Sequence, residues 1–477
     1  LFSQIKRLAG DSFLYAFMSV GTKIIAFIML PIYADLLSLE GLGALGVIDR
    51  TGAILSFLLI FGTDSALAYY YFAEKDPKRR LLYVQNVMGF RLAIALTFVA
   101  IFLLGGSQIA SWLKLSGYGQ ALTYMMLVNL FDAVFMLAVT VYRYEMKTVR
   151  VVLLTLTKMT LFAVLSYLFL IQLSSTVDSL MLGRLVGVLL ILFFAGRPIL
   201  TFLKIRFDKE ILVDLLKYGA PLVPASIAFW VISSSNSFVI LFLSENELAG
   251  KSAVGIYEIA FRYGALITLI TYGIQMAWRP LSMQMKDKEN AKELFAKLYV
   301  LIFAVGLLGI LLVTSVAPWF KVFFKAELYE AFQYIGFISL ASFISFYYMI
   351  ISSGLFFKKN TKVVSIAFGI AAVINIGLNL ALFPIFHIWG IVVSNLITYL
   401  IATVIIFMKS QKVYFVPVSV GKLIFLFVQV CISMIGMIYL QLSEYPWYYQ
   451  IFPWIYFLVS LFICRIDRDI VGKNYGQ

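Results

Sequence analysis

Histidine and cysteine are nearly absent from these 477 residues, and charge of either sign is sparse. The single histidine, His387, sits in a tight loop and cannot build a His-based metal centre or a catalytic triad alone. The two cysteines, Cys431 and Cys464, fall inside late apolar runs, which excludes a disulfide framework and a zinc site. Charged residues make up 13% of the chain and hydrophobic residues 62%, whereas a soluble globular chain is about a quarter charged and roughly half apolar. So little polar surface cannot clothe a water-facing core. No phosphate loop of the form Gly-x-x-x-x-Gly-Lys-Ser/Thr is present, so direct ATP hydrolysis is not expected.

In place of these features the chain carries a succession of apolar runs, at a mean hydropathy of +0.96. Each run is about 20 residues long, enough to cross a bilayer as a helix. The runs are continuous rather than alternating, which excludes a transmembrane β-barrel. The expected fold is therefore all-α, a polytopic membrane protein with about 14 transmembrane helices. The spans read as 12–36, 45–72, 83–106, 120–142, 150–171, 177–200, 215–243, 255–278, 298–320, 331–357, 363–386, 388–408, 420–440 and 447–464. The first run is a full span that follows Lys6 and Arg7 without a small-residue cleavage site, so no signal peptide is expected. A start at Leu1 points to a trimmed N-terminus.

Loop charges orient the spans. With the N-terminus inside, cytoplasmic segments hold 28 of the 38 lysines and arginines, and the opposite loops hold Lys114, Lys251, Lys321 and Lys325. Both termini are expected in the cytoplasm of a bacterial inner membrane. Most of the +14 net charge is then topological, and no nucleic-acid partner is implied. The external loops are short, the longest about 14 residues. That argues against a membrane polysaccharide polymerase or ligase, which would need a sizeable external catalytic loop; the chain is read as a transporter rather than an enzyme.

The segment from Ile199 to Lys217 interleaves apolar residues with Lys204, Arg206, Asp208, Lys209 and Asp214, and reads as an amphipathic helix on the cytoplasmic leaflet. A repeat supports a division there. Ala44-Leu-Gly-Val-Ile-Asp49 matches Ala253-Val-Gly-Ile-Tyr-Glu258, and Lys147 and Arg150 before Val151-Val152 match Lys359 and Lys362 before Val363-Val364. The expected organisation is a six-helix bundle at 1–200, the linker helix at 201–217, a second six-helix bundle at 218–410 related by a parallel repeat, and two appended helices with a tail at 411–477. Parallel repeats imply a site between the halves.

The segment LPIYADLLSLEGLGALGVID at 30–49 resembles the polysaccharide-transporter branch of the multidrug/oligosaccharidyl-lipid/polysaccharide exporter superfamily. So do LKYGAPLVPASIAFWVISSSNS at 216–237, VGIYEIAFRYG at 254–264, QMAWRPL at 275–281 and INIGLNLALFPIFHIWGIVVS at 374–394, in the same order and spacing. The resemblance implies a V-shaped pair of bundles and the flipping of undecaprenyl-pyrophosphate-linked oligosaccharides, as in O-antigen or capsule export. The partners it implies are that lipid-linked glycan, membrane lipids, and polysaccharide polymerase or assembly proteins. A drug/cation antiporter of the same superfamily is the nearest rival.

Ionisable residues inside spans are expensive and should face protein or a water-filled cavity. The cations are Lys23, Arg50, Arg91, Lys158, Arg184 and Arg262; the acids are Asp49, Asp64, Asp132 and Glu258. Five of the six cations fall in the first bundle, which suits a pyrophosphate better than a cationic drug, because arginine pairs its N–H groups with such oxygens. Arg50, Arg91 and Lys158 have interface anchoring as an equal alternative. Glu258 and Arg262, four apart on one helix face, read first as an ion pair. Asp132, with Asn129 one turn earlier, is either a proton- or sodium-coupling carboxylate or a fixed counter-ion to Lys23. Asp64 and Glu258 are the further coupling candidates. No cofactor or metal is expected beyond H+ or Na+ coupling. Pro221 and Pro224 should bend their span, the polar run Ser233 to Ser237 should glue helices or line a gate, and Tyr69, Tyr70, Tyr71 and Trp278 read as interfacial belt residues.

Overall fold

The computed structural model describes residues 2–196, 198–202, 204–286, 288–358 and 362–464. Among these the chain is helical throughout and forms no strand. The helices are α1 (Phe2–Leu36), α2 (Leu39–Ile60), α3 (Thr63–Ala73), α4 (Pro77–Trp112), α5 (Gly119–Tyr144), α6 (Thr148–Gln172), α7 (Val177–Ala195), α8 (Pro198–Phe202), α9 (Lys209–Gly219), α10 (Val223–Leu243) and α11 (Glu247–Gly264). They continue with α12 (Ile267–Met285), α13 (Ala291–Val316), α14 (Ile335–Ile351), α15 (Ser353–Phe357), α16 (Lys362–Val413), α17 (Val420–Leu442) and α18 (Ile451–Ile463).

Eleven helical stretches among the described residues are long and apolar enough to cross a membrane, and the bent pair Glu247–Gly264 and Ile267–Gln275 makes a twelfth. The 52 residues of α16 hold two of the expected spans, because His387 (φ 49, ψ −129) turns the chain between them. The short apolar stretch Trp447–Ile463 supplies the last. Each of the fourteen expected spans thus has a helix, and the chain is a polytopic membrane protein.

The chain divides into two compact units, Leu1–Glu258 and Ile259–Gln477. In the first, α6 packs along α7 and α4 along α5. Small residues make the α6–α7 approach possible: a Cβ on Gly183 would lie 2.7 Å from backbone atoms of Leu165 and Ser166, and one on Gly187 3.0 Å from the Phe162 ring. Ser166 Oγ donates to the Leu180 carbonyl at 3.1 Å across the same seam. Phe135, Leu137, Ala138, Val87, Met88, Val188 and Ile191 form the buried centre of this unit.

Two expectations change here. The amphipathic segment is not one helix over 201–217: α8 ends at Phe202 and α9 begins at Lys209, where Asp208 caps it by accepting from the Glu210 and Ile211 amides. Its apolar face is buried against α3 and α4 through Ile211 and Leu215, with the charged face outward. Pro221 lies in a single 3-10 turn (Ala220–Leu222) and Pro224 in the first turn of α10, so they break the 215–243 span near its beginning.

In the second unit the two arms of α16 are tied by a buried amide network. Asn375 Nδ2 donates to Asn395 Oδ1 (3.1 Å) and to Thr398 Oγ1 (3.3 Å), and Asn379 Nδ2 donates to Asn375 Oδ1 (3.2 Å). The appended helices α17 and α18 join this unit: α17 lies on α13, and Trp454 Nε1 donates to Ser315 Oγ at 2.7 Å. Trp278 is a core residue and not a belt residue. It is 3% exposed, stacks edge-on against Phe295, and donates to Ser353 Oγ at 2.9 Å. An indole satisfied internally has no call on the lipid headgroups. Tyr69, Tyr70 and Tyr71 pack against Tyr218, Tyr83 and Tyr144, with Arg80 over the Tyr71 ring at 5.4 Å.

Candidate functional site

The first unit joins four of the intramembrane cations to the four intramembrane acids. Arg184 Nη1 donates to Asp49 Oδ1 at 2.6 Å. Arg50 forks onto Glu258, Nε to Oε1 at 3.1 Å and Nη2 to Oε2 at 3.3 Å. Lys158 Nζ donates to Asp132 Oδ1 at 2.7 Å. Arg91 Nη2 donates to Asp64 Oδ1 at 2.6 Å.

Asp49 and Arg50 are consecutive on α2, and so the first two pairs form one cluster reaching α7, α10 and α11. Ser237 Oγ donates to Glu258 Oε1 (2.9 Å), Arg50 Nη1 donates to the Ser233 carbonyl (3.4 Å), and Trp230 Nε1 donates to the Arg50 carbonyl (3.3 Å). Asn236 Nδ2 donates to Tyr257 Oη at 3.0 Å. The polar run Ser233 to Ser237 therefore binds α10 to α2 and α11. A glycine crossing allows this: a Cβ on Gly43 would lie 1.7 Å from the Lys251 carbonyl oxygen, and one on Gly46 2.5 Å from Glu258 Cγ. Gly46 and Glu258 belong to the two copies of the repeated motif, which here meet face to face.

One pairing differs from the sequence expectation and another adds to it. Asp132 takes Lys158 and not Lys23 as its partner, because the α5–α6 contact brings residues 26 apart together. Lys158 Nζ also lies 5.0 Å from the centroid of the Phe135 ring and 5.6 Å from that of Phe162. Glu258 is engaged by Arg50, 208 residues away, a partner that helix periodicity did not point to. Asn129 Nδ2 donates to the Gly52 carbonyl at 2.9 Å and so joins α5 to α2. Lys23 is half-buried on α1, and Arg262 half-buried on α11. The sequence reading did not single out Thr63 or Trp230; the glycine-dense stretch at 40–46 was the available signal for the crossing.

Arg91 works at a break in the second span. Phe61 (φ 45) and Gly62 (φ 71) interrupt the helix between α2 and α3, and Arg91 binds Thr63 Oγ1 through Nε (3.0 Å) and Nη2 (2.7 Å) as well as Asp64. In three pairs the carboxylate is the less covered partner: side-chain exposures are 48% for Asp64 against 2% for Arg91, 31% for Asp132 against 10% for Lys158, and 29% for Asp49 against 18% for Arg184. Removing the less covered acid strands a buried cation, whereas removing the cation leaves an acid that protein only partly encloses. Asp64→Asn is therefore expected to destabilise by about 1–3 kcal/mol, since Thr63 still accepts from Arg91, and Arg91→Leu by less. Thermal denaturation of both purified variants checks the order; a more stable Asp64→Asn would contradict it.

The sequence profile described as "Polysaccharide biosynthesis protein" matches residues 8–286, more than half of the chain. A second, described as MatE, matches residues 224–381. Among solved structures, a lipid II flippase MurJ in an inward closed conformation is similar over 96% of this chain and 100% of its own, at 15% identity and a TM-score of 0.67. An inward-facing multidrug resistance MATE family transporter of the MOP superfamily is similar over 82% of this chain and 94% of its own, at 17% identity and a TM-score of 0.59. A MOP superfamily transporter from Pyrococcus furiosus, titled for the reverse polarity of its binding pocket, covers 85% and 95% at 17% identity and a TM-score of 0.51. Curated proteins return no match. At these identities the likeness is one of fold, and the family rests on the profile over residues 8–286: the chain belongs to the polysaccharide biosynthesis protein family.

Proposed function

We propose that this protein is a flippase that carries undecaprenyl-pyrophosphate-linked oligosaccharide repeat units across the bacterial inner membrane by alternating access, driven by a proton or sodium gradient. The observation that carries the reading is the set of intramembrane cations in a chain of the polysaccharide biosynthesis family. Four of them hold a carboxylate in this conformation, and a pyrophosphate offers the same oxygen geometry with more charge. Cargo displaces a carboxylate from Arg184 or Lys158, and the released acid becomes free to take up a proton or sodium ion. Binding and ion uptake are thereby linked through one exchange of partners. Lys23 and Arg262 complete the cationic set, and the bundles at 1–200 and 218–410 move around it.

A second reading, a drug/cation antiporter, has one observation in its favour: Asp49, Asp64 and Asp132 are the less covered members of their pairs. The two readings part in cells. Under the flippase reading, depletion accumulates lipid-linked oligosaccharide on the cytoplasmic side and leaves drug sensitivity unchanged. Increased sensitivity to cationic drugs, without that accumulation, selects the antiporter.

Lys23→Ala and Arg184→Ala are each expected to abolish polysaccharide export at near-normal protein abundance, and Arg184→Lys to retain part of it, since lysine keeps charge without the planar fork. Full export by Lys23→Ala would remove that residue from the cargo path. For topology, cysteines at Glu40, Asn246 and Ser443 are expected to react with an impermeant thiol reagent on intact cells, and one at Asp76 to stay unlabelled. The reverse pattern would invert the proposed orientation.

A further inference from the structure

Away from the charge pairs, the first unit holds a second polar cavity of about 390 Å³, within the range of roughly 300–1,000 Å³ typical of small-molecule sites. Its wall includes Ser38, Ser116, Tyr118, Ser175, Asp178 and Lys251. These come from the α1–α2, α4–α5 and α6–α7 connections, the first turn of α7 and α11, so it opens on one membrane face, outside under the proposed topology. Lys251 belongs to the chain's single Gly-Lys-Ser tripeptide, Gly250 to Ser252, which is part of helix α11 and lacks the leading glycine of a phosphate loop.

The wall is chemically mixed in a way a phosphate site is not. Asp178 Oδ1 is buried with no hydrogen-bond partner among the described residues, and an unmet buried acceptor is expensive. Ser38 Oγ accepts from the Gly41 amide at 3.1 Å, which leaves its O–H to donate. Glu247 accepts from the Ser116 amide (2.7 Å), Ser116 Oγ (2.9 Å) and Lys251 Nζ (3.0 Å). That tie fixes the α4–α5 loop against α11 and neutralises the lysine. Lys251 Nζ also sits 5.2 Å from the Tyr118 ring centroid. Gly117 (φ +89) turns the chain with nothing within 4 Å of its would-be Cβ, which keeps this edge open.

A carboxylate acceptor, serine hydroxyls able to donate and accept, and a half-buried aromatic ring match the alternating hydroxyls and apolar face of a sugar. We propose that this cavity is a carbohydrate subsite on the external face, binding one or two sugar residues through Asp178, Ser38 and Tyr118. That the bound sugar belongs to exported cargo rests on the flippase reading; the binding itself does not.

Saturation-transfer NMR on the full-length protein in detergent, with lactose, maltose and N,N′-diacetylchitobiose as probes, tests this without transport. At least one probe is expected to bind, about tenfold or more weakly to Asp178→Asn, the loss of one charged hydrogen bond, and more weakly to Tyr118→Ala. Asp178→Asn keeps the side chain's size, and its elution and melting profile report whether it folds. Silence from all three probes overturns the proposal, as does unchanged affinity in a folded Asp178→Asn. Calcium binding by titration without sugar binding overturns it in favour of a cation site. Sugar binding by a protein that fails to flip lipid-linked glycan leaves the subsite standing and sinks the flippase reading alone.

Discussion

Asp132→Asn is expected to destabilise the protein by about 3–5 kcal/mol and to abolish gradient-driven transport. The first effect follows from Lys158, whose side chain is 10% exposed and lies beside Phe135 and Phe162. Without the Asp132 charge its ammonium is left in an apolar setting with a neutral amide and two ring faces for compensation, the rings worth about 0.5–2 kcal/mol. The second effect follows if Asp132, 31% exposed, is the acid released when cargo takes over Lys158. Adding Lys158→Met separates the two roles, because it removes the stranded charge without restoring an ionisable acid. The double variant is expected to regain thermal stability while gradient-driven flipping in proteoliposomes stays lost. Recovery of both would make Asp132 a counter-ion only and pass the coupling role to Asp64.

Gly43→Leu is expected to stop export through a different cause. Any Cβ at this position would sit 1.7 Å from the Lys251 carbonyl oxygen, far inside contact distance, and the obstacle is backbone that cannot rotate away. Overpacking of this kind costs about 1–3 kcal/mol and at times more, here charged to the one conformation in which α2 and α11 cross. The state with this crossing open is then favoured. Leu42, 5% exposed beside the crossing, reports it: a cysteine there is expected to be unreactive in an otherwise wild-type background and to react with a thiol reagent when Gly43→Leu is present. Normal export with unchanged labelling would show that the crossing does not open during the cycle.

Much of the architecture was legible before any coordinates. The spans follow from run length and hydropathy, which are local properties that each helix satisfies with its own backbone hydrogen bonds. The turn at His387 and the break at Pro221 and Pro224 likewise depend on residues within a few positions. The candidate charges were legible one at a time, since an ionisable side chain within an apolar run stands out.

Their pairing was not, and the reason is geometric. Sequence periodicity sees partners at three or four residues and so has no view of Arg50, which reaches Glu258 from 208 residues away. Trp278 was misjudged for a related cause: an indole near a span's end suits the interface unless a serine 75 residues on accepts its N–H. The amino-acid sequence by itself determined that this is a helical membrane protein with about fourteen spans and charged groups held within them, because those are one-dimensional properties of composition and run length. Only the tertiary structure decided that Arg184 meets Asp49, that Lys158 meets Asp132 and that α2 and α11 cross at Gly43 and Gly46, because a salt bridge or a helix crossing is set by packing between segments the chain holds far apart.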